Sequence, residues 1–420
     1  MKTEIITAGG IDRAAEIIRA GGLVAVPTET VYGLAGSGLN AETVERIYAV
    51  KGRPEVKPLS LMVHDASAMA ACWREVPAQA LSLAEEFWPG PLTIIGDSVD
   101  EIPEIVCAGG STVGLRCPDH PLTLELLQKC AVPLAAPSAN PSGKPSPKTA
   151  REVLEYFDGQ IDAVIDGGEC GIGTESTIVT LSQQPFRVLR RGALAEEEIA
   201  ARLAADMYII GLTGGSGTGK TTALNVLRSL GACCIDADEL YHTLTRESEP
   251  MRRELIERFG EVYDGNELNR KALGNVVFAD PAALSDLNAV THKYVTRETL
   301  AILRERAMAG DTVAALDAIG IFEAGLDRIC AAVFGVLAPE ETRVARLMNR
   351  EGISREYALK RIRAQKSDEY YREACTACLV NDGTVEEFAA KCKAAFTEAI
   401  QNGRKERLPR RALLRAEERL

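Results

Sequence analysis

The sequence has no excess of positive charge: 48 Lys and Arg stand against 60 Asp and Glu, a formal net charge of -12. That balance excludes a protein coated with nucleic acid over its whole surface and leaves room only for a local basic cleft. Most of the acidic excess precedes residue 214, whereas Arg404 to Leu420 is basic. No apolar run approaches the length of a membrane span, and Met1-Lys2-Thr3-Glu4 opens a polar start without a signal-peptide core. The expected location is therefore the cytoplasm, with no membrane partner. The eleven cysteines are odd in number and lack the rhythm of a disulfide framework, so they read as reduced thiols. Cys375-Thr376-Ala377-Cys378 is a lone C-x-x-C with neither a second pair nor a nearby His, which favours ordinary packing over a zinc or redox site. At 420 residues the chain is too long for one core and divides into two or three domains.

What is present is concentrated at mid-chain. Ile209-Ile210-Gly211-Leu212-Thr213 fits a buried strand, and Gly214-Gly215-Ser216-Gly217-Thr218-Gly219-Lys220-Thr221-Thr222 follows it with the spacing G-x-x-x-x-G-K-T. Glycines let backbone N–H groups turn inward, Lys220 brings a point charge to the outer phosphates, and Thr221 offers a hydroxyl to Mg²⁺. The helix expected over Ala223 to Arg228 presents its positive end to the same anion. The pattern by itself also fits a Gly-rich surface turn; the strand before it and the helix after it select an ATP cradle.

In the first half, Leu23-Val24-Ala25-Val26 reads as a short strand, and Pro27 to Leu34 as a polar turn opening a helix, which places hydroxyls at the strand's carboxyl end, where ligands bind in α/β sheets. Helical spacing from Ala41 to Val50 delivers three cations, Lys51, Arg53 and Lys57, among prolines. From these residues alone a solvated basic loop and an anion clamp fit equally well. Ser111 to Arg116 and Val188 to Arg190 read as strands ending in arginine. Val132 to Ala136 runs from a strand into Pro137 to Ser146, a loop dense in hydroxyls and amides that is costly unless it binds something. Ile161 to Asp166 makes another strand, and Gly173 to Val179 re-enters the sheet.

On these motifs, residues from about Gly10 to Leu203 resemble the YrdC-like family of threonylcarbamoyl-AMP synthases, which convert L-threonine, bicarbonate and ATP into threonylcarbamoyl-AMP and pyrophosphate. The resemblance implies a twisted α/β sheet domain. It places the family's Lys, Arg, Ser and Asn tetrad on Lys51, Arg53, Ser138 and Asn140, and further ATP contacts on Lys57, Thr112, Ser146 and Arg190. Threonine contacts fall on Thr30, Arg116 and Ser176, with Arg116 holding the carboxylate. Met62 stands where some longer relatives carry a His, and the domain those relatives append has no counterpart. The implied reaction needs no side-chain nucleophile: a threonine carbamate attacks the α-phosphate, and Lys51, Arg53 and Arg190 supply positive charge to the leaving pyrophosphate. His64 and His120 read as satisfied structural histidines rather than bases.

Beyond the cradle, Gly231 to Ile235 reads as a strand ending in Asp236-Ala237-Asp238, with His242 one helical turn further. The two carboxylates fit Mg²⁺ handling and proton abstraction from an alcohol, and equally a helix N-cap formed by Asp238 with acidic neighbours. Leu316 to Glu323 reads as the next strand, with Glu323 at its end, and Ala331 to Leu337 as the one after. Arg343, Arg346, Arg350, Arg355, Arg361 and Arg363 crowd a helical pair closing with Gln365, placed to reach over a triphosphate as a kinase lid does. Together with Leu268 to Phe278 and Asn381-Asp382-Gly383, these features make residues from about Met207 to Ile400 resemble dephospho-CoA kinase, which phosphorylates the 3'-hydroxyl of dephospho-CoA with ATP. The resemblance implies a P-loop kinase domain with a parallel sheet, a helical substrate region and a lid. Asp238 would be the general base, Lys220 and Arg350 would stabilise the moving phosphoryl group, and Thr221 and Asp236 would meet Mg²⁺. Three positions depart from the family pattern: His292-Lys293 replaces His-Pro, Gly320 replaces Pro or Leu, and Cys378 replaces an Asp.

The expected organisation is an α/β chain with domains at 1–205 and 206–402 and a basic tail at 403–420. The two resemblances imply a bifunctional enzyme using ATP and Mg²⁺, one half serving tRNA threonylcarbamoyladenosine synthesis and the other the last step of coenzyme A synthesis. Its partners would be L-threonine, bicarbonate, ATP and dephospho-CoA, with a transferase complex that passes threonylcarbamoyl to tRNA, and weak RNA binding at the first cleft. The rival makes the first half a non-catalytic RNA-binding or regulatory module fused to a small-molecule kinase; the intact Lys51, Arg53, Ser138 and Asn140 speak against it.

Overall fold

Parallel β pairing needs long crossovers, and both halves of the chain alternate short apolar runs with amphipathic helices, so both form α/β units. The computed structural model describes residues 2–277 and 279–403; Phe278 and residues 404–420 of the expected tail lie outside them. The chain divides into one unit ending at Leu203 and a second beginning at Ala204.

The first unit is built on a ten-stranded mixed sheet. Its order is Glu4–Ile6, Ala163–Ile165, Val24–Val26, Gly33–Ser37, Leu134–Ala135, Ser60–Met62, Thr112–Arg116, Leu92–Asp97, Thr177–Thr180 and Arg187–Arg190. Val24–Val26 and Ala163–Ile165 are buried at every position, which is why they read as unbroken apolar runs. Helix Ile11–Arg19 buries Ile11, Ala14, Ala15, Ile17 and Ile18, a helical stripe, in a core shared with helix Pro121–Cys130. Helix Ala41–Lys51 starts on an Asn40 cap that accepts the Thr43 N–H and stops at Gly52, whose φ of 56° turns the chain sharply. That stop holds Lys51 and Arg53 at the helix end.

The second unit has a five-stranded, wholly parallel sheet in the order Cys233–Asp236, Val313–Asp317, Tyr208–Thr213, Ala332–Leu337 and Ala377–Val380. Helices Lys220–Ser229 and Val385–Gly403 pack together over it, with Phe388, Cys392 and Phe396 four residues apart on the buried stripe of the latter. Helices Ala237–Glu247, Glu249–Phe259, Arg270–Val277 and the long Pro281–Met308 gather around Met251, Leu255, Phe259 and Leu273. Helices Glu340–Glu351 and Arg355–Arg363 close on Val344, Leu347, Ala358 and Ile362. Among the described residues no helix is long and apolar enough to cross a membrane, and none of the eleven cysteines forms a disulfide.

Two elements depart from expectation. The turn at Pro27 to Leu34 does not open a helix: it folds the chain back into strand Gly33–Ser37, antiparallel to Val24–Val26 and buried at Gly33 to Gly36. The run read as Leu316 to Glu323 is a strand only over Val313–Asp317, so the carboxylate at its end is Asp317 and not Glu323. The apolar pattern continues past it because Ile321, in the turn that follows, is itself fully buried.

Phe396 is fully buried and meets Phe334 edge-on at 5.1 Å. Phe396→Ala should destabilise the second unit by about 3–5 kcal/mol, the usual cost of emptying a buried aromatic site. Chemical denaturation read by near-ultraviolet circular dichroism checks this, and a loss below about 1 kcal/mol would contradict the packing described.

Candidate active sites

In the first unit, strand ends and two loops surround a cavity of about 140 Å³. Arg53, Arg116, Ser138, Ser176 and Arg190 all line it, together with Met62 and Glu175. Arg116 closes its strand and is buried, donating from Nη2 to Glu29 Oε1 at 2.7 Å and to Thr30 Oγ1 at 2.8 Å. Arg190 donates to the Ser176 carbonyl at 3.0 Å and to its hydroxyl at 2.9 Å, and Ser176 also meets the Thr93 hydroxyl at 2.8 Å. Burial pushes the guanidinium pKa values of Arg53 and Arg190 down. A partly open cavity walled by fixed cations is suited to a polyanion, which meets charges already held in place.

Lys51 lies behind the cavity wall. Its ammonium donates to the carbonyls of Ser138 and Asn140, bracing the loop from beneath, and burial followed by the nearby Arg53 pushes it down to about 7. Asn140 turns its Nδ2 to the Pro141 and Lys144 carbonyls and leaves Oδ1 buried without a hydrogen-bond partner. Ser146 reaches the cavity only through Glu175, to which it donates at 2.8 Å. Lys57 and Thr112 do not line the cavity: Lys57 is exposed, and Thr112 sits at the opposite end of the strand that Arg116 closes. His64 and His120 stay off it too.

In the second unit the glycine-rich turn leaves the central strand between two flanking strands. Gly214, Gly217 and Gly219 have φ of 142°, 80° and 106°, and a Cβ on Gly214 would come within 2.4 Å of the Val336 carbonyl. Three carbonyls of the turn are held from outside by side chains of the Arg-rich segment and its surroundings. Arg343 Nε donates to Ser216 O at 3.0 Å, Arg346 Nη1 to Gly217 O and Thr218 O at 3.2 Å each, and Asn381 Nδ2 to Thr218 O at 2.8 Å. Gln365 accepts from Ser216 N–H and from Arg343, both at 2.9 Å. Arg350 is not brought to the turn; it is 61% exposed and paired with Glu351.

Lys220 opens helix Lys220–Ser229 and stands 3.8 Å from Asp317 Oδ1. Burial raises the Asp317 carboxyl to about 6, Lys220 opposing and Asp236 and Asp238 reinforcing the shift. Asp236, not Asp238, caps the next helix, accepting the N–H groups of Asp238 and Glu239 at 2.9 and 3.0 Å. Asp238 is thereby left free of capping. It opens onto a second cavity, of about 240 Å³, that also takes in Tyr241, Asn288, Thr291 and His292. Desolvation raises the Asp238 carboxyl above the ordinary value although one side of it faces solvent, and Lys220 pulls the other way.

Four contributors were not singled out from sequence. Asp317 was hidden inside an apolar pattern that outlasts its strand, and the signal available was the run Val313-Ala314-Ala315-Leu316 broken by an acid. Glu29 had no signal, its partner being 87 positions away. Arg343 and Arg346 were named only as members of an arginine row; their three-residue spacing on one helix places them on a common face.

Residues 16–192 match the family model named for Sua5, YciO and YrdC and described as telomere recombination, and residues 208–387 match that of dephospho-CoA kinase. The first half is 46% identical over 186 residues to the threonylcarbamoyl-AMP synthase of Pyrococcus abyssi, covering 44% of this chain and 55% of that one. It is 43% identical over 192 residues to that of Bacillus subtilis, covering 46% and 56%. The chain thus spans about half the length of these synthases. The second half is 39% identical over 165 residues to the dephospho-CoA kinase of Dehalococcoides mccartyi, covering 39% of this chain and 82% of that one.

Arg343 and Arg363 separate anchoring from decoration. Arg343→Ala leaves the buried Ser216 carbonyl and Gln365 short of a donor, and should cost the second unit about 1–3 kcal/mol and weaken ATP binding there. Arg363→Ala removes an exposed pair with Glu340 and should cost under about 0.5 kcal/mol. Denaturation midpoints and nucleotide titrations of both variants check this; equal effects would contradict it.

Proposed function

We propose, for a chain that belongs to the dephospho-CoA kinase family through residues 208–387 and carries a Sua5/YrdC domain at residues 16–192, a bifunctional enzyme with a separate ATP site in each half. The second half would phosphorylate the 3'-hydroxyl of dephospho-CoA. What supports this best is the meeting of Lys220, Asp317 and Asp238 between the phosphate cradle and the 240 Å³ cavity. Inward amides, the helix N-terminus and Lys220 bind the phosphates, and the acceptor enters over Asn288, Thr291 and His292. Asp238 takes the hydroxyl proton as its oxygen attacks the γ-phosphorus, and ADP leaves. Arg350 stabilises the phosphoryl group in transit.

The carboxylates also fit Mg²⁺ carried in with ATP. Their donors are all oxygen, and Asp317 Oδ1 is buried without a hydrogen-bond partner. Thr221, Asp236 and Asp317 would hold the ion, which would screen charge on the phosphates. Among the described residues no cluster of three or more His, Cys, Asp or Glu forms a metal cage of its own, in keeping with an ion that keeps water and phosphate ligands.

The first half would make threonylcarbamoyl-AMP, and the convergence of Arg53, Arg116 and Arg190 on one cavity carries that reading. The threonine amine and bicarbonate condense to a carbamate with loss of water. A carbamate oxygen then bonds to the α-phosphorus while the bond to pyrophosphate breaks. Arg53 and Arg190 meet the phosphates with Ser138, and Lys51 holds the Ser138–Asn140 loop in place beneath them. Arg116, Thr30 and Ser176 receive threonine. Of the remaining residues expected to touch ATP, Ser146 would join from beside Glu175, whereas Lys57 and Thr112 stand away from the cavity. The product suits a transferase complex acting on tRNA, and both reactions belong in the cytoplasm.

The two activities should separate cleanly. Lys220→Ala should abolish ATP-dependent phosphorylation of dephospho-CoA and spare pyrophosphate release dependent on threonine and bicarbonate; Lys51→Ala should do the reverse. Loss of both activities from either change would refute independent sites. The kinase should also show an acid limb. Asp317 is raised to about 6, so it is ionised above that pH and protonated below it. At limiting ATP, kcat/KM for ATP, which reports the unliganded enzyme, should therefore fall as pH drops through about 6. A limb near pH 4 would place the sensitive group elsewhere.

A further inference from the structure

Arg116 is more heavily committed than an arginine that simply awaits a carboxylate. Of its five N–H donors, Nη2 spends one on Glu29 Oε1 at 2.7 Å and one on Thr30 Oγ1 at 2.8 Å, and Nε reaches the Gly90 carbonyl at 3.3 Å. Those on Nη1 remain for a ligand. Glu29 is fixed at both oxygens, because its Oε2 accepts the Asp119 N–H at 3.0 Å. The side chains of the pair are only 9% and 12% exposed. A buried ion pair contributes little net stability, since desolvation cancels much of the attraction. A functional reason for Glu29 is therefore worth seeking.

Two threonines hold this pair from behind. Thr28 Oγ1 donates to the Val31 carbonyl at 2.6 Å and accepts the Thr30 and Val31 N–H groups at 3.1 and 3.2 Å, while the fully buried Thr30 Oγ1 accepts from Arg116. The corner therefore offers donors on Nη1 and no net charge. That combination matches a zwitterion, with its carboxylate on Arg116 and its ammonium in the negative field of Glu29.

We propose that Glu29 is a specificity-determining residue of the amino-acid pocket: it cancels the charge of Arg116 and occupies its Nη2 edge, so that a neutral zwitterion fits and an amino acid with a second carboxylate is rejected. The inference rests on the reading of the first half as a threonine-using synthase. Arg53 and Arg190 line the same cavity and are the groups read above as meeting the phosphates, so with ATP bound they are not open to a second carboxylate, and it is the ATP-loaded protein that is titrated.

Glu29→Gln removes the charge and keeps the shape; Glu29→Asp keeps the charge. Calorimetric titration of the intact protein with L-threonine and with L-aspartate should show preference for threonine, narrowing about tenfold in Glu29→Gln through a gain for aspartate and restored in Glu29→Asp. An unchanged ratio, with both affinities falling together, would make Glu29 a mere brace and overturn the proposal, as would no preference in the parent protein. Should Glu29→Gln fail to fold, Arg116→Gln reverses the charge instead, and L-threoninol, which lacks the carboxylate, should gain about tenfold on L-threonine; no gain overturns the proposal. Pyrophosphate release measured with threonine, bicarbonate and ATP on the same samples tests the synthase reading separately. Selective threonine binding without release would refute that reading and leave the role of Glu29 standing.

Discussion

The 3.8 Å pair between Lys220 and Asp317 is the contact on which the second unit's arrangement depends. Strands Tyr208–Thr213, Val313–Asp317 and Cys233–Asp236 are adjacent and parallel, in a register that sets Leu212, Asp317 and Asp236 side by side at their carboxyl ends. Two carboxylates on neighbouring strands repel unless a cation lies between them. Lys220 supplies one such charge from the first residue of the helix behind the cradle, yet Asp317 is still raised, by burial first and by Asp236 and Asp238 after it, so one cation does not offset the cost of ionising it there. The site is therefore built short of positive charge. Its electrostatics close only when a further cation arrives, which is the condition a nucleotide-borne metal ion meets.

On the proposed reading the first unit would meet the same kind of ligand with the opposite imbalance. No glycine-rich turn of stacked amides stands at its cavity; guanidinium groups do the work, delivered from the ends of strands Thr112–Arg116 and Arg187–Arg190 and from the loop after helix Ala41–Lys51. Partial burial depresses the pKa values of Arg53 and Arg190 although Arg190 keeps one face in solvent, and an anion beside them would offset that shift. Arg116 is the exception. Glu29 balances it in advance, which divides the cavity into a charged part suited to phosphates and a neutral corner suited to a zwitterion.

Legibility from sequence followed the range of the interactions. The cradle could be read because its chemistry lies within nine consecutive residues, and the strand-end arginines because a strand's length fixes where its last side chain stands. The helix read over Ala41 to Val50 was legible for the same local reason, by its spacing and the prolines after it, although it runs to Lys51 and its stop falls on Gly52. Asp236 and Asp238 were visible, but which of them capped the helix was decided by backbone geometry at Asp236, whose side chain accepts two N–H groups. Asp317 and Glu29 belong to the other kind. Each matters through a partner about 90 positions away, Lys220 or Arg116, and no periodicity records such a pairing.

The row of arginines shows how far a charge pattern can be taken. Six of them lie between Arg343 and Arg363, and sequence treats them alike. Burial does not. Arg343 and Arg346 spend their donors on the carbonyls of the cradle; withdrawing Arg343 would leave the Ser216 carbonyl unpaired at about 1–3 kcal/mol, whereas the Thr218 carbonyl would keep Asn381 if Arg346 were withdrawn. Arg350 holds only Glu351, in an exposed pair of the sort worth about 0–1 kcal/mol. Redirecting Arg350 toward a transferred phosphoryl group is therefore cheap, whereas moving Arg343 would disturb the cradle itself. The same helix can in this way keep its first turns fixed as scaffold and still present a cation at its far end that is free to follow the chemistry.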